Sequence, residues 1–299
     1  MSPGGVAGLR QQLARRTPGA VRKLVRMGEH FARRQRDWAL LLKAASGVTG
    51  ADRLALATSA LVAPVTALKA LDGFGCPVLL RDVQVRVDKV GVFRLRRGTD
   101  DPIHVLRQRE PHMWAVLQER LRPGDRFVDA GANIGFYALR AAQLVGPRGE
   151  VVAIEMMPGT AASLRANVAA SGAGNVTVVE KALADVDGQV LEASADPSKL
   201  GQASIAAVEG GRRSLRLKVE TARLDSLLPE GPVALMKMDL EGAEFDALQG
   251  AAGLLGRVDA LVYESNGDDP RIERLLKACG FTVRHLAAHD YLAVSDTSR

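Results

Sequence analysis

From about residue 126 onward, short apolar runs alternate with longer amphipathic patterns. The apolar runs predict seven β-strands, at residues 126–130, 150–155, 175–180, 233–239, 258–264, 281–286 and 291–295. Between them, apolar residues at helical spacing predict helices at 135–145, 158–171, 242–255 and 269–279. Strands that alternate with helices are typical of a mostly parallel sheet covered on both faces. The predicted fold class is therefore α/β, with a seven-stranded, mostly parallel sheet.

The residues before this region follow other patterns. Apolar residues at helical spacing among many arginines predict a basic amphipathic helix at 21–42, and the mostly apolar stretch 54–71 predicts a second helix. That stretch is close to membrane-spanning length, but it is rich in alanine, so a packed helix pair is favoured over a span. Alternating apolar residues at 83–95 predict a β-hairpin that turns at 89–91.

The change of pattern near Cys76 divides the chain into two predicted units. Residues 1–75 form a basic, helical N-terminal extension, and residues 76–299 form the α/β domain. Inside that domain, residues 184–228 form an insertion that we expect to add a small antiparallel piece over the site. Because substrate pockets come from such variable segments, residues 21–121 and the insertion 184–228 are expected to shape the pocket.

The net charge of +6 is concentrated near the N-terminus. Residues 1–50 contain ten Lys or Arg against two acids, a net charge of +8, so residues 51–299 carry the balance of −2. The basic arm is interpreted as part of a helical cap on the domain, with peripheral contact to an anionic membrane surface as an alternative. Aromatic residues make up only 4% of the chain, which disfavours a nucleic-acid surface built on base stacking.

The cysteine content bears on the compartment. Cys76 and Cys279 are the two cysteines, and their separation fits neither a disulfide framework nor a metal-ligand spacing. A cytoplasmic, reducing location is expected, and the basic arm adds a membrane-peripheral option.

A glycine-bearing turn, Asp129-Ala130-Gly131-Ala132-Asn133-Ile134-Gly135, follows the first predicted strand and leads into a helix. Glycines let the backbone approach a ligand and helix amides face it, so the turn predicts a nucleotide-shaped site. A dinucleotide fingerprint requires glycine where Asn133 stands, which disfavours NAD and FAD. An acid before a looser turn suits a ligand with a cationic part. S-adenosylmethionine is such a ligand, because its amino group and its sulfonium are positive.

Further positions extend the predicted nucleotide site. Glu155 ends the second strand, where a carboxylate in this architecture accepts hydrogen bonds from both ribose hydroxyls. Ala182 and Asp185 follow the third strand, where a residue would flank or hydrogen-bond adenine.

A second strand-to-helix turn, Lys237-Met238-Asp239-Leu240-Glu241-Gly242-Ala243-Glu244, carries three carboxylates. Carboxylates so close together are costly unless they bind a cation, a hydroxyl proton or the positive end of a helix. Helix capping is the simplest role for Glu244. Glu241 is either a helix cap or a second catalytic candidate, and Asp239 is the favoured catalytic residue. His112 is a reserve candidate, because imidazole is the commonest general base.

Taken together, these motifs resemble those of the FkbM-type S-adenosylmethionine-dependent methyltransferases, which have the class I, Rossmann-like fold. The resemblance covers roughly residues 90–295 and rests on the paired turns at 129–135 and 237–244. Other matching positions are Glu155, Asn167, Asn175, Val176, Leu224, Asp225 and Glu264. Members of this family are known for methylating hydroxyls of polyketides and sugars.

The resemblance implies roles for particular residues. Asp129, Gly131, Asn133 and Glu155 would contact the cofactor, with Ala132 and Gly135 in the same turn, and Asp239 would lie beside the transferred methyl group. The implied activity is O-methylation of a sugar, glycolipid or polyketide-like metabolite. The implied partner is therefore a small-molecule, glycan or glycolipid acceptor.

Two roles stay open for Asp239. Either it removes the hydroxyl proton as a base, or it holds Mg²⁺ with Glu241 or Glu264 and so acidifies the hydroxyl. An alternative of another class is a binding protein that keeps the fold without the reaction and docks through its basic arm to a membrane or nucleic acid.

Overall fold

The structure is a computed structural model that describes residues 19–69, 76–196, 199–204, 215–265 and 269–297. Parts of the predicted N-terminal extension, residues 1–18 and 70–75, lie outside the described residues, as do parts of the predicted insertion, 197–198 and 205–214. The division of the chain at residue 75 stays a prediction.

The N-terminal elements form a layer of two helices on a small antiparallel sheet. In chain order they are α1 (Gly19–Ala44), β1 (Ala45–Gly47), α2 (Gly50–Lys69), β2 (Val83–Val87), β3 (Gly91–Leu95), α3 (Asp101–His104) and α4 (Pro111–Arg120). β2 pairs with β1 and β3. The predicted hairpin is therefore confirmed, and Lys89 adopts a positive φ of 56° in its turn. The short strand β1 was not predicted.

A capping box fixes where α2 begins. The Asp52 carboxylate accepts hydrogen bonds from the Thr49 amide and hydroxyl, and the Thr49 hydroxyl accepts one from the Asp52 amide at 3.1 Å. Asp52 also accepts the Gln84 amide of β2 at 3.2 Å, so one carboxylate ties the helix start to the sheet. The hydrogen bond from the Thr49 hydroxyl is the main cause that lowers the pKa of Asp52.

The layer packs onto the domain through one apolar cluster. Trp38 of α1, Leu56 of α2 and Phe93 of β3 share this cluster with Phe136 and Leu139, which belong to a helix of the main domain. The prediction that α2 packs in the fold is confirmed by this burial. No helix of the described chain is long and apolar enough to cross a membrane.

The main domain continues in the alternating order that the sequence predicts. Its elements are β4 (Arg126–Ala130), α5 (Phe136–Val145), β5 (Glu150–Ile154), α6 (Pro158–Ser171), β6 (Val176–Val179), β7 (Ala182–Leu183), β8 (Val190–Asp196), β9 (Lys199–Ser204), β10 (Leu215–Ala222), α7 (Leu224–Leu227), β11 (Leu235–Met238), α8 (Glu244–Gln249), α9 (Ala252–Leu255), β12 (Ala260–Glu264), α10 (Pro270–Ala278), β13 (Phe281–Ala287) and β14 (Asp290–Ser295).

The central sheet has seven strands in the order β6-β5-β4-β11-β12-β14-β13. The first five of these pair in parallel, and β14 is antiparallel to both of its neighbours. The predicted fold class is thus confirmed as a Rossmann-like α/β sheet. The strand order reverses between β4 and β11, so their carboxyl ends flank the crevice where such folds bind ligands.

One predicted helix is wrong. The stretch 242–255 forms two short helices, α8 and α9, with a break at Gly250. A Cβ at Gly250 would meet the Ala184 carbonyl oxygen at 2.1 Å, and the Gly250 carbonyl accepts the Asp225 amide at 3.0 Å. The break is therefore set by close packing against the chain that follows β7.

The insertion forms a second sheet, in the order β7-β10-β8-β9. β8 pairs antiparallel with β9 and β10, as expected. Its buried side chains, among them Ala193 and Val219, pack against Met157 at the start of α6. The sheet is therefore anchored beside β5.

Candidate functional site

The carboxyl ends of β4, β5 and β11 surround a cavity of about 250 Å³. Its wall includes the turn 131–134, Glu155 and the turn that carries Asp239 and Glu241. His104 of α3 and Asp100, the residue before this helix, also line it, with Arg109 and Glu110, so the segment before α4 closes one side. We call this space the donor cavity.

The first glycine turn is shaped by close backbone contacts. Gly131 has a φ of 81°, and a Cβ there would lie 1.9 Å from the Asp239 carbonyl oxygen. Gly135 has a φ of 92°, and its Cβ would lie 2.4 Å from Leu164. The amides of Gly131 and Ala132 donate to the Ile154 carbonyl at 3.0 and 2.9 Å, which ties the turn to β5. At Gly131 both the conformation and the backbone contact require glycine, whereas at Gly135 the positive φ is the main requirement, because the close atom is the end of the Leu164 side chain.

Asp129 is buried directly before that turn, with 1% of its surface exposed, and does not itself line the cavity. No side chain of the described structure hydrogen-bonds either carboxylate oxygen, and the backbone amide of Ala138 lowers the pKa of Asp129 less than the Lys237 charge does. Burial raises the pKa of Asp129 to about 6, against the lowering effect of the nearby Lys237 charge. An unpaired buried carboxylate beside a cavity is costly, so it favours a ligand that brings positive charge.

Glu155 lines the donor cavity at the end of β5. Its carboxylate accepts the Met157 amide at 2.9 Å and the Asn133 amide at 3.0 Å. Burial raises the pKa of Glu155 to about 7, although both hydrogen bonds lower it. These amides hold the carboxylate in one orientation while it keeps the capacity to accept further hydrogen bonds.

The second turn contains a buried ion pair. Lys237 Nζ lies 3.1 Å from Asp239 Oδ2 and 5.6 Å from the centre of the Tyr137 ring. Burial opposes the charge of Lys237, but Asp239, Asp129 and Glu110 outweigh it and raise the pKa of Lys237. Lys237 is therefore a cation at every physiological pH.

Lys237 and Glu264 together determine the charge of Asp239. Burial opposes ionisation of Asp239, yet the Lys237 charge and a hydrogen bond from Glu264 lower its pKa below the ordinary value. Burial and the Asp239 charge raise the pKa of Glu264 to about 8. At pH 7 the pair therefore shares one proton, which Glu264 holds and donates to Asp239.

The two glutamates that follow Asp239 differ in role. Glu244 accepts hydrogen bonds from the Leu240 and Gly242 amides, so it closes the turn, as the capping interpretation predicts. Glu241 adopts a positive φ of 52° and lines the donor cavity. Burial and the charges of Asp239 and Glu244 raise the pKa of Glu241 to about 7. Glu241 therefore changes its charge near neutral pH.

A second cavity, of about 200 Å³, adjoins the first. Arg109, Glu110, Lys237, Asp239 and Glu264 line both cavities. The side chains that line only the second are His112, Met113, Met238, Val262, Ala288, His289 and Asp290. We call this space the acceptor cavity. Asp239 and its two partners thus lie in the wall between the two cavities.

The predicted reserve base His112 belongs to the acceptor cavity. Its Nε2 lies 2.5 Å from Asp290 Oδ2, at the start of β14. Burial raises the pKa of Asp290, while the hydrogen bond with His112 lowers it. Asp290 therefore holds one ring nitrogen of His112 in this wall of the cavity, and the role of His112 as a base stays a prediction.

Ala182 lines the donor cavity, as the adenine prediction requires, whereas Asp185 is exposed and lies outside both walls. No described residue of the insertion 184–228 lines either cavity. In the described segments the pocket is shaped by residues 100–113 instead, so only one of the two variable segments contributes.

Three contacts at the site were not predicted. The Tyr137 hydroxyl donates to Glu110, His104 lies 3.1 Å from Asp100, and Lys237 pairs with Asp239. A lysine between two buried methionines in a predicted strand was the available signal for the last contact, because a buried cation requires a nearby anion. The other two depend on the position of the segment before α4, which the pattern did not reveal.

The predicted magnesium set is not supported by the geometry. Among the described residues, no three His, Cys, Asp or Glu side chains form a group that could hold a metal ion. Asp239, Glu241 and Glu264 do line the donor cavity together. However, Glu264 keeps its proton to about pH 8 and Asp239 is already paired with Lys237.

The donor cavity fits S-adenosylmethionine. The Asn133 side-chain oxygen lacks a hydrogen-bond partner in the described structure, and Glu155 offers acceptor positions to a diol. Asp129 offers unpaired negative charge close to the same turn. The groups near the first turn are thus anionic or accept hydrogen bonds. Such groups suit a ligand with a ribose and two cationic centres.

A crevice of this kind at the carboxyl edge of a Rossmann-like sheet is where proteins of this fold class bind nucleotide cofactors. The model of the methyltransferase FkbM domain matches residues 129–283, just over half of the chain. The chain therefore belongs to the FkbM-domain methyltransferases.

Similar proteins of known sequence are methyltransferases as well. "Methyltransferase 1" of Beauveria bassiana is 27% identical over 186 residues, covering 54% of this chain and 74% of that protein. The protein-L-isoaspartate O-methyltransferase of Ignicoccus hospitalis is 42% identical over 71 residues, 23% of this chain and 34% of that protein. The chain thus spans about a third of the length of that relative.

A solved structure is also similar. It is the precorrin-6y C5,15-methyltransferase from Geobacter metallireducens, at 16% identity and a TM-score of 0.40, covering 62% of this chain and 88% of that one.

Proposed function

We propose that this methyltransferase transfers the methyl group of S-adenosylmethionine to a hydroxyl of a sugar, glycolipid or polyketide-like metabolite. The observation that carries the proposal is the position of Asp239. Its carboxylate is ionised by Lys237 and lies in the wall that the donor and acceptor cavities share. A base at this point can meet a hydroxyl from one cavity while the methyl group approaches from the other.

S-adenosylmethionine, when bound, supplies an electrophilic methyl group on a positively charged sulfur. Glu155 would hold the ribose hydroxyls, Asn133 and the Gly131 turn would face the same ligand, and Asp129 would attract its positive charge. The segment that carries Arg109 and Glu110 would cover the cavity from the other side.

The role of Asp239 follows from the acidity of the acceptor. A free hydroxyl is a weak acid, but its proton becomes very acidic as the oxygen gains a bond to carbon. A carboxylate of low pKa can then accept that proton, so the lowered pKa of Asp239 is compatible with a base. Lys237 and the protonated Glu264 would keep Asp239 ionised and oriented until transfer.

The chemistry of the acceptor cavity supports a neutral acceptor. Four carboxyl groups line it, on Glu110, Asp239, Glu264 and Asp290, against the cations Arg109 and Lys237. Carboxylates accept hydrogen bonds from hydroxyls and repel carboxylate or phosphate groups. Met113, Met238 and Val262 add apolar wall that can contact the carbon faces of a sugar or a polyketide.

The test combines cofactor binding with product analysis. Purified protein is titrated with S-adenosylhomocysteine by calorimetry and then incubated with methyl-labelled S-adenosylmethionine and a panel of sugars, glycolipids and polyketide-like alcohols. We expect binding, and label on an oxygen of at least one neutral acceptor.

Two results would contradict the proposal. Absence of S-adenosylhomocysteine binding would remove the donor. Label found on carbon or nitrogen would keep the donor but overturn the hydroxyl acceptor.

A further inference from the structure

We propose that the outer face of α2 docks the protein onto an anionic lipid bilayer. This surface, the α2 face, consists of Leu54, Leu61 and Val65, none of which lines either cavity. The proposal is independent of the methyl acceptor and concerns where the enzyme resides.

The α2 face is apolar where a helix of a water-soluble domain is normally polar. Leu54, Leu61 and Val65 expose 66%, 80% and 55% of their surfaces. They are spaced seven and four residues apart, so they lie on one side of the helix. The opposite side, with Leu56, Ser59 and Ala63, is buried against the sheet layer. The helix is thus apolar on both sides, although only one is covered by the fold.

Exposed apolar side chains are concentrated in this part of the molecule. Eight of the eleven large apolar residues that are exposed in the described structure lie between Val25 and Leu80, and the other three lie in the insertion. Single exposed apolar residues are common on proteins, but a concentration in one layer marks an interaction surface.

The charges in the same layer select the partner. Five basic side chains are exposed there, those of Arg33, Arg36, Lys43, Arg53 and Arg81, and two of them are ion-paired, Arg36 with Asp37 and Arg81 with Asp52. Glu29 is the one exposed acid among the described side chains from 25 to 81, since Asp37 and Asp52 are buried. An exposed apolar strip in a layer with an excess of Lys and Arg is the pattern of a helix that lies in the headgroup region of an anionic membrane.

A second copy of this chain fits the surface less well. Two copies that met through their α2 faces would bring like charges together, which costs free energy, whereas anionic headgroups neutralise the same charges. The long stems of Lys and Arg can also contact acyl chains while their charged ends stay in water. Charge complementarity therefore favours the bilayer.

The test is sedimentation of the full chain with vesicles of phosphatidylcholine alone, or of phosphatidylcholine mixed with phosphatidylglycerol. The apolar variant is Leu54→Ser/Leu61→Ser/Val65→Ser, and its matched control is Val186→Ser/Val190→Ser, at exposed apolar residues of the insertion. The charge variant is Arg36→Gln/Lys43→Gln/Arg53→Gln, with Arg148→Gln/Lys218→Gln/Arg284→Gln as its control, since all of these are exposed.

We expect wild type and both controls to bind the anionic vesicles and to be released by salt. Both test variants should lose about ten-fold or more in partition, because the surface supplies both apolar insertion and headgroup attraction. Retained S-adenosylhomocysteine binding in all variants would show that they fold and would separate this result from the proposed function.

Several results would overturn the proposal. The first is wild-type protein that does not bind anionic vesicles. The second is an apolar variant that binds anionic vesicles as strongly as wild type. The proposal would also be overturned if the apolar variant binds as wild type and only deletion of residues 1–18 abolishes binding. The third is a doubling of the mass in light scattering that the apolar variant reverses, because the occupant would then be a second copy.

Discussion

The two strand-to-helix turns of the site stabilise their acids in opposite ways. At the first turn, burial raises the pKa of Asp129 to about 6 and that of Glu155 to about 7, and no described residue brings a cation within hydrogen-bonding distance of either. At the second turn, Asp239 is buried as well, but Lys237 lies 3.1 Å away and its charge helps to keep the pKa of Asp239 low.

The difference shows that one lysine separates the tasks of two similar turns. The first turn has no positive charge of its own, so it favours a ligand that supplies it. The second turn already has its cation, so its carboxylate is charged before any ligand arrives and can act on a neutral acceptor. Three variants test this comparison, from the largest expected effect to the smallest.

The Gly131→Ala variant tests whether the two turns must touch. Its Cβ would lie 1.9 Å from the Asp239 carbonyl oxygen at a φ of 81°, so backbone must move at both turns. We expect a loss of more than about 4 kcal/mol in unfolding free energy, or no folded protein. Chemical denaturation and S-adenosylhomocysteine binding measure the effect.

Gly124→Ala is the matched control for that variant. Gly124 has a φ of 96° but open space around its Cβ position, so it isolates the backbone strain at about 1–2 kcal/mol. Equal losses in the two variants would contradict a contact between the turns.

The Lys237→Met variant removes the cation of the second turn and keeps the apolar packing. The pKa of Asp239 should rise, because its largest favourable charge is gone and burial remains. Less Asp239 is then ionised at pH 7, so turnover should fall about a hundred-fold there and recover as the pH rises. The measurement is the pH profile of kcat, with Lys237→Arg as a control that keeps the charge. If kcat of Lys237→Met falls at the same acidic pH as kcat of wild type, the account is contradicted.

The Glu155→Gln variant tests the first turn through stability. In the folded protein without cofactor, the Glu155 pKa is raised from 4.5 to about 7, so the folded state binds the proton more tightly. Protonation of Glu155 therefore adds at most about 3 kcal/mol to the free energy of unfolding. This stabilisation is present below pH 4.5 and is lost as the pH rises through about 7. Wild type should therefore lose stability from pH 5 to pH 8, and Glu155→Gln should lose less.

The measurement for Glu155 is the free energy of unfolding at both pH values. Glu230→Gln serves as the control and should follow wild type, because the Glu230 side chain is 98% exposed and its ion pair with Arg257, at 3.7 Å, is a surface contact. If Glu155→Gln loses as much unfolding free energy between pH 5 and pH 8 as wild type does, the Glu155 carboxyl is not protonated in the folded state.

Much of the fold could be predicted from the sequence, because the central strands β4, β5, β11 and β12 are buried and mostly apolar. The single helix expected at 242–255 failed for a tertiary reason, the contact of Gly250 with Ala184, which no local pattern contains. The three-residue strand β1 is too short to carry a period of its own.

The site was predicted where acids end strands, as at Asp129, Glu155 and Asp239. What the sequence could not reveal is how distant groups meet. The predicted metal set already placed Glu264 near Asp239, but it did not indicate that the two share a proton, and nothing in the sequence indicated that His112 contacts Asp290 in the wall of the acceptor cavity. Such pairs depend on the strand order and on the segment before α4, so their charge states follow only from the folded structure.

The central claim is that the first turn binds the donor and the second performs the chemistry. Calorimetry with S-adenosylhomocysteine, beside turnover, on Asp129→Asn and Asp239→Asn tests it most directly. The account predicts that Asp129→Asn loses most of its binding, whereas Asp239→Asn binds as wild type and loses about 10²–10⁴-fold in kcat. Equal loss of binding in the two variants, or full turnover in Asp239→Asn, would contradict it.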